Sequence, residues 1–558
     1  MSNEEEQERV QEQPDKKGLL TLEKKEDSTI QEGQDPLAPF FTQFFKFTLR
    51  SYLFILVMLG GTGVMLYSYF YQVRFGMQVT GLNVPVYWGF YIPNFIFFIG
   101  IGHAGTFITA ALRLAQAEWR RPITRLAELI TVLALTFGMI NIVFDVARID
   151  RVPNNLLMFG RFQSPLLWDV VAVSTYLILA SVSLYGAMIP DFAHMRHRVR
   201  NDWLVKLYRI LSFDWRGTKR QWHKLETALY IISVLVVPTM VLVHTVISFI
   251  ISMSVHPLWH ESVFGPFFVA GALHSGIGFI LILMYLLRKF YHMEDLLTIR
   301  HFDNMGKLAI TMSFIWLYFT GVEFMTSFYG AEPLHFSVLM RRMTSTTHGP
   351  VFIFMVFGNF VLPVIILLAK RTSPIWAAIA GILINMAMWV ERYLILIPTL
   401  ETPRLPYDKV IYMPSIYEVG MTAGSIFAFA LAYYLFTKFF PVIPIWEVNK
   451  EEETALHSKD DFAVAHQKEK PDSTVKIGMY LVFVAYLLAE VTIVAILLNG
   501  IRNGIIFGVV NQEIRDLASL MMSLGANTIF LPIHLGTTYA FGKFLWFMIK
   551  EYEEGAEE

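Results

Sequence analysis

Ionisable side chains inside long apolar runs are the residues of this sequence best placed to do chemistry. Holding one in hydrocarbon costs at least ~2.5–3.5 kcal/mol unless a partner or water compensates it. Asp145, Asp169, Glu323, Glu391, Arg392 and Glu418 lie in such runs, with His103, His244 and His274. Glu128, one turn after Arg125, stands towards the other end of its run. Carboxylates and imidazoles at a common depth can accept and pass protons. Asp145 and Asp169 stand on consecutive runs with Arg148 and Arg161 between them. Those acids and guanidinium groups are expected to share one pocket and shift each other's proton affinity. Each residue also has a structural alternative. Glu391 and Arg392 could close an ion pair at a helix end, Glu418 could face interfacial water, and His103 could bond a neighbouring helix carbonyl.

The chain has no cysteine, which excludes disulfides, thiolate iron–sulfur ligation, covalent c-type haem and a cysteine nucleophile. Three intramembrane histidines could ligate one haem at most, so neither haem nor an iron–sulfur cluster is expected in this chain, and no metal site. Gly100, Gly102 and Gly105 form a literal GxGxxG, but it follows no strand, so close helix packing is the better reading than a dinucleotide loop.

The elements that must position these residues follow from composition. Of 558 residues, 55 % are hydrophobic, 15 % aromatic and only 16 % charged, where a soluble chain carries roughly 25 % charged residues. With a mean hydropathy of +0.48, an all-α polytopic membrane protein is expected. Ten spans are read near 51–71, 86–112, 124–147, 166–189, 227–253, 264–287, 306–328, 350–369, 374–398 and 415–438, and two further runs near 477–498 and 526–549 form a hairpin. The expected divisions are a disordered tail (1–40), a membrane domain (41–445), a charged linker (446–476) and the C-terminal hairpin and tail (477–558). Connectors on one side carry 25 Lys and Arg against 11 on the other, which puts both termini in the cytoplasm and the acids and histidines in the outer half. Asp202–Phe213 reads as an interfacial amphipathic helix with Lys206 and Arg209 on its polar side. His103-Ala-Gly-Thr in span two and His274-Ser-Gly-Ile in span six suggest two repeated four-helix bundles, spans two to five and six to nine.

A quinol site fits this inventory. Oxidising a quinol requires a lipid-accessible cavity and proton acceptors, which the chain offers, and an electron acceptor, which a partner must supply. The runs Gly102-His-Ala-Gly-Thr-Phe-Ile-Thr-Ala-Ala-Leu-Arg-Leu, Arg121-Pro-Ile-Thr-Arg-Leu-Ala-Glu128, Ser164-Pro-Leu-Leu-Trp-Asp169-Val, His301-Phe-Asp-Asn-Met-Gly-Lys-Leu308 and Met388-Trp-Val-Glu-Arg-Tyr-Leu-Ile395 resemble the NrfD-like superfamily of quinol-interacting membrane subunits, which includes the polysulfide reductase membrane subunit. Within it the likeness is closest to the ActC-type subunit of bacterial alternative complex III, over roughly residues 40–445. The resemblance implies two four-helix bundles, no cofactor in this subunit, quinol (menaquinol or ubiquinol) oxidised near the periplasmic face, and electrons passed to an adjacent iron–sulfur protein. It implies three partners in the bacterial inner membrane complex: an iron–sulfur/molybdopterin-like subunit, a multihaem cytochrome c and a second membrane subunit of similar fold.

On this reading Asp169 and Asp145 are the catalytic proton acceptors, His103 and Arg148 join them around quinol, and Glu128, His244, His274, Glu323, Glu391 and Arg392 form a proton path. Asp145-Val-Ala-Arg148 stands where relatives carry His-Val-Gly-Arg. Ile250 stands where they carry an acid after His244-Thr245, which favours outward proton release over pumping. A respiratory or photosynthetic chain would suit the quinol reading. The same fold could anchor a molybdopterin reductase such as polysulfide reductase, and buried acids in repeated bundles also suit a secondary transporter.

Overall fold

The computed structural model describes residues 47–152, 164–196, 199, 201–402, 410–444, 446, 472–511 and 527–557. The expected N-terminal tail, most of the charged linker, and Arg161 lie outside them. Every element among the described residues is helical. Among those residues eleven helices are long and apolar enough to cross a membrane, and the chain is a multi-pass all-α membrane protein.

We number the helices in chain order: α1 Leu49–Phe75, α2 Tyr91–Leu114, α3 Arg121–Val146, α4 Pro165–Arg196, α5 Asp202–Leu211, α6 Lys219–Ser252, α7 Phe264–Phe290, α8 Ile299–Gly330, α9 Pro333–Thr344, α10 Gly349–Lys370, α11 Pro374–Leu400, α12 Ile416–Phe439 and α13 Ser473–Asn511. A last helical stretch, α14, runs through Asn527–Thr537, a π-type segment Thr538–Gly542 and Lys543–Glu557. "Outer" below denotes the side on which α2 begins. Side chains define several starts: Thr48 caps α1, and Thr218–Gln221 and Ser415–Glu418 form reciprocal capping boxes on α6 and α12. Each satisfies backbone donors that a helix start leaves without intrahelical partners.

Helices α2, α3, α4 and α6 pack in a closed ring of four, and α7, α8, α10 and α11 form a second. The rings meet through α2 and α7, whose apolar windows are 78 % buried, whereas that of α1 is 11 % buried and faces outward. Small residues make the contact possible. A Cβ on Gly276 of α7 would stand 2.5 Å from Ala104 Cβ and 2.6 Å from the Ile101 carbonyl of α2. One on Gly105 would overlap Thr131 Oγ1 and the Ala127 carbonyl of α3. The GxGxxG run is therefore a packing face, since backbones this close leave no room for a side chain.

Helices α1 and α12 pair and lean on α3. The C-terminal helices α13 and α14 cover α4 and α6 through a separate apolar cluster that includes Leu229, Val475, Met479, Phe541 and Leu545. Helix α5 forms as expected, with Trp203 66 % exposed. Its rotation differs from the reading of the sequence: Arg209 is buried, and its Nε donates to Asp214 Oδ1 at 3.0 Å. Arg196 donates to the same oxygen at 2.9 Å, so a carboxylate draws both guanidinium groups inward.

Candidate functional site

The outer half of the second ring holds a narrow cavity lined by Thr320, Glu323, Arg342 and Glu391 among Phe267, Phe324, Phe352, Met355, Leu394 and Ile395. Helix α9 lies across the outer ends of α8 and α11 and sends Arg342 into it, with Nη1 donating to Glu323 Oε1 at 2.8 Å. Trp316 Nε1 donates to Glu391 Oε1 at 3.0 Å, while Glu391 Oε2 has no hydrogen-bond donor. Glu391 and Arg392 do not close a hydrogen-bonded pair. Their nearest approach is 3.9 Å, because neighbours in a helix point about 100° apart. Arg392 instead lies over the Phe268 ring at 4.6 Å, towards the junction of the rings.

At that junction the imidazoles of His103 and His244 are 4.2 Å apart, edge to face. The two ring nitrogens of His103 each stand against a carbonyl, Nδ1 2.8 Å from that of Ile99 on its own helix and Nε2 2.7 Å from that of Met240 on α6. His244 is fully buried, and neither ring nitrogen has a hydrogen-bond partner. Arg392 acts electrostatically on both rings. His274 sits separately, against the Asn359 carbonyl at 3.1 Å. Of the residues read as a proton path, Glu323 and Glu391 line this cavity, whereas His244 and His274 lie outside its lining.

In the first ring Asp169 is 2 % exposed near the outer start of α4, and its Oδ1 has no hydrogen-bond partner. The expected pocket of Asp169, Asp145 and Arg148 is not what forms. Asp145 lies at the end of α3, where its electrostatic neighbours are Glu418 and Tyr91. Arg148 turns to the surface and chelates Asp150 at 2.9 and 2.8 Å; the 58 % exposure of its side chain shows that water outcompeted the interior for this guanidinium. Glu418 is buried and does not face interfacial water. It accepts from the Tyr412 hydroxyl at 2.6 Å, Gly81 N–H at 2.6 Å and Ser415 N–H at 2.8 Å.

Glu128 belongs to an inner cluster with Arg125 (3.6 Å), Ser183 (3.3 Å) and, through Arg125, Asp191 (3.0 Å). Asp191 was within reach of the sequence rule for buried ionisable groups, as were Glu490 and His534 of the C-terminal pair. Asn94, which joins Asn141, Thr422 and Trp389 across four helices, carries no charge and gave no such signal. Outside the spans, Glu261 accepts from Ser327 at 3.1 Å. Burial and the Glu323 charge hold its carboxyl up at about 7, above the usual carboxylate range.

A buried acidic cavity, a carboxyl oxygen lacking a donor and a histidine pair are thus set within two rings of helices in an all-α membrane protein. The chain belongs to the polysulphide reductase NrfD family, whose model matches residues 78–404. It is 22 % identical over 418 residues to the Hdr-like menaquinol oxidoreductase integral membrane subunit of Archaeoglobus fulgidus, covering 71 % of this chain and 95 % of that one. It is 22 % identical over 429 residues to a selenate reductase subunit of Mesobacillus selenatarsenatis, covering 72 % and 96 %. A putative dimethyl sulfoxide reductase membrane subunit of Halobacterium salinarum is 26 % identical over 245 residues, covering 43 % of this chain and about half (52 %) of the relative.

Proposed function

We propose that this chain is the quinol-oxidising membrane subunit of an electron-transfer complex of the alternative complex III type. The carrying observation is Asp169, a carboxyl buried near the outer end of α4 with an oxygen that lacks a donor. A quinol hydroxyl supplies that donor, and the carboxylate then takes its proton as the electrons leave. Each quinol oxidised yields two electrons and two protons. The electrons pass to an adjacent iron–sulfur/molybdopterin-like subunit and onward to a multihaem cytochrome; a second membrane subunit of this fold completes the assembly in the bacterial inner membrane. The menaquinol oxidoreductase name of the Archaeoglobus relative, matched over 95 % of its length, supports a quinol as substrate.

The quinol protons leave on the outer side. Tyr176 lies seven residues after Asp169, on the same face of α4 and roughly 10 Å further in, with its ring 5.3 Å from that of His103. His103, His244, Arg392, Glu391 and the Arg342–Glu323 pair continue the polar string through the second ring.

In the purified complex, Asp169→Asn keeps size and removes the proton acceptor, so quinol-dependent reduction of the partner falls at least ~10-fold with assembly unchanged. Full turnover in an assembled variant discards the role. In vesicles supplied with quinol, no protons are taken up from the cytoplasmic side; uptake that disappears in Glu128→Gln while electron transfer persists makes the chain part of a pump. The reductase names of two relatives favour a second reading, the membrane anchor of a molybdopterin reductase. Co-purification separates the two: a multihaem cytochrome supports the first, a lone molybdoenzyme the second.

A further inference from the structure

On the outer surface, away from the quinol and proton residues, His260, Glu332 and His335 converge so that one ligand atom from each lies within 4.8 Å of the other two. His260 is in the connection between α6 and α7; Glu332 is the N-cap of α9 and His335 lies in its first turn. We propose that these three side chains form a binding site for a divalent transition-metal ion of the Zn2+ class, with water in the remaining position.

Three observations carry the proposal beyond proximity. The first is spacing. Glu332 Oε2 and His335 Nε2 are 3.4 Å apart, the separation that two tetrahedral ligands take at bonds of about 2.0–2.1 Å. The second is orientation. His260 Nδ1 sits 3.2 Å from the His256 carbonyl; donating there fixes the tautomer and leaves the Nε2 lone pair for a metal, the arrangement that orients most metal-bound histidines. The edge-to-face contact of the His260 and His335 rings, 4.5 Å between centroids, holds both imidazoles over the same spot.

The third is rigidity of the backbone on both sides. Leu258, Val338 and Leu339 are fully buried against one another, which clamps the connection to α9. Next to His260, Trp259 is fully buried and its Nε1 donates to the Ile395 carbonyl at 2.8 Å. The ligands therefore stand on a preformed frame, and binding has to order only the side chains themselves. Two imidazoles and one carboxylate suit Zn2+, Co2+ or Cu2+, whereas Mg2+ and Ca2+ call for an all-oxygen set. A bound ion ties the α6–α7 connection to the helix that carries Arg342 into the acidic cavity.

The test uses the full chain purified in detergent, stripped of metal and free of any histidine tag, titrated with Zn2+ against a chromophoric chelator. One equivalent is expected to bind, and to raise the melting temperature. His260→Ala and His335→Ala should each weaken binding at least ~10-fold and abolish that rise, while melting without metal stays as in the unaltered chain. Excess Mg2+ or Ca2+ should leave Zn2+ binding unchanged. Zn2+ affinity unchanged in a variant that carries both His260→Ala and His335→Ala overturns the site, as does competition by Mg2+ or Ca2+ at comparable concentration, which marks an ordinary acidic surface. None of these readouts depends on quinol activity, so the site stands or falls apart from the proposed function.

Discussion

Arg342 shows how one side chain decides the chemistry of a cavity. Its guanidinium is 3 % exposed and pairs with Glu323, itself 2 % exposed. Removing one member of a buried pair strands the other in a low dielectric, which costs about 3–5 kcal/mol. Arg342→Met should destabilise the chain by that order in detergent denaturation, and Glu323→Gln introduced with it should restore part of the loss. Trp316→Phe tests the other carboxyl: it removes the donor to Glu391 and should cost about 1–3 kcal/mol, the penalty for an unsatisfied buried polar group. The sequence made Glu323 and Glu391 visible because an acid in an apolar run has few innocent explanations. It placed Arg342 in a connector, since nothing local indicates that α9 folds back over the ring.

At the scale of elements, close packing and a polar clasp hold the rings and the C-terminal pair. Gly105→Ala would drive a methyl group into the Ala127 carbonyl and Thr131 of α3. Backbone offers no rotamer to escape by, so overpacking of about 1–3 kcal/mol or more follows, measurable as a lower melting temperature. The C-terminal pair is fastened differently. His534 is fully buried, with Nδ1 2.6 Å from Glu490 Oε2 on α13 and Nε2 2.9 Å from Thr175 Oγ1 on α4. His534→Ala leaves the Glu490 carboxyl without this partner in the membrane interior. The pair should then loosen from α4, with limited proteolysis releasing it before the rings unfold. Equal resistance in the variant would show that the apolar cluster around Phe541 suffices. The hairpin was legible from hydropathy. Its clasp was not, because Thr175 and His534 lie 359 residues apart.

For the whole molecule, orientation is open to a direct test because the chain is free of cysteine, so a single introduced thiol reports alone. The two ends of α8 offer exposed positions, Arg300 at its start and Tyr329, 93 % exposed, at its end. The excess of Lys and Arg on the α8 start side predicts a cytoplasmic position for that end. Tyr329→Cys should react with a membrane-impermeant maleimide applied from outside, and Arg300→Cys only after permeabilisation. The reverse pattern would invert the topology and move the acidic cavity to the cytoplasmic half.

By itself the sequence determined the helical class, the small-residue face at Gly100–Gly105 and the run of each span, although α4, α6, α8 and α13 extend at least seven residues past the expected bounds at one end. These follow from hydropathy and residue size along one segment, which the bilayer reads segment by segment. Only the tertiary structure decided which ionisable groups meet. Asp145 came under the charge of Glu418 and not that of Asp169, Arg148 went to Asp150 at the surface, and Glu391 drew its donor from Trp316 instead of its neighbour Arg392. Depth is set by position along a helix, but partnership depends on the rotation of each helix and the order of helices in the ring. Those are settled jointly by packing among all the helices, and no single span encodes them.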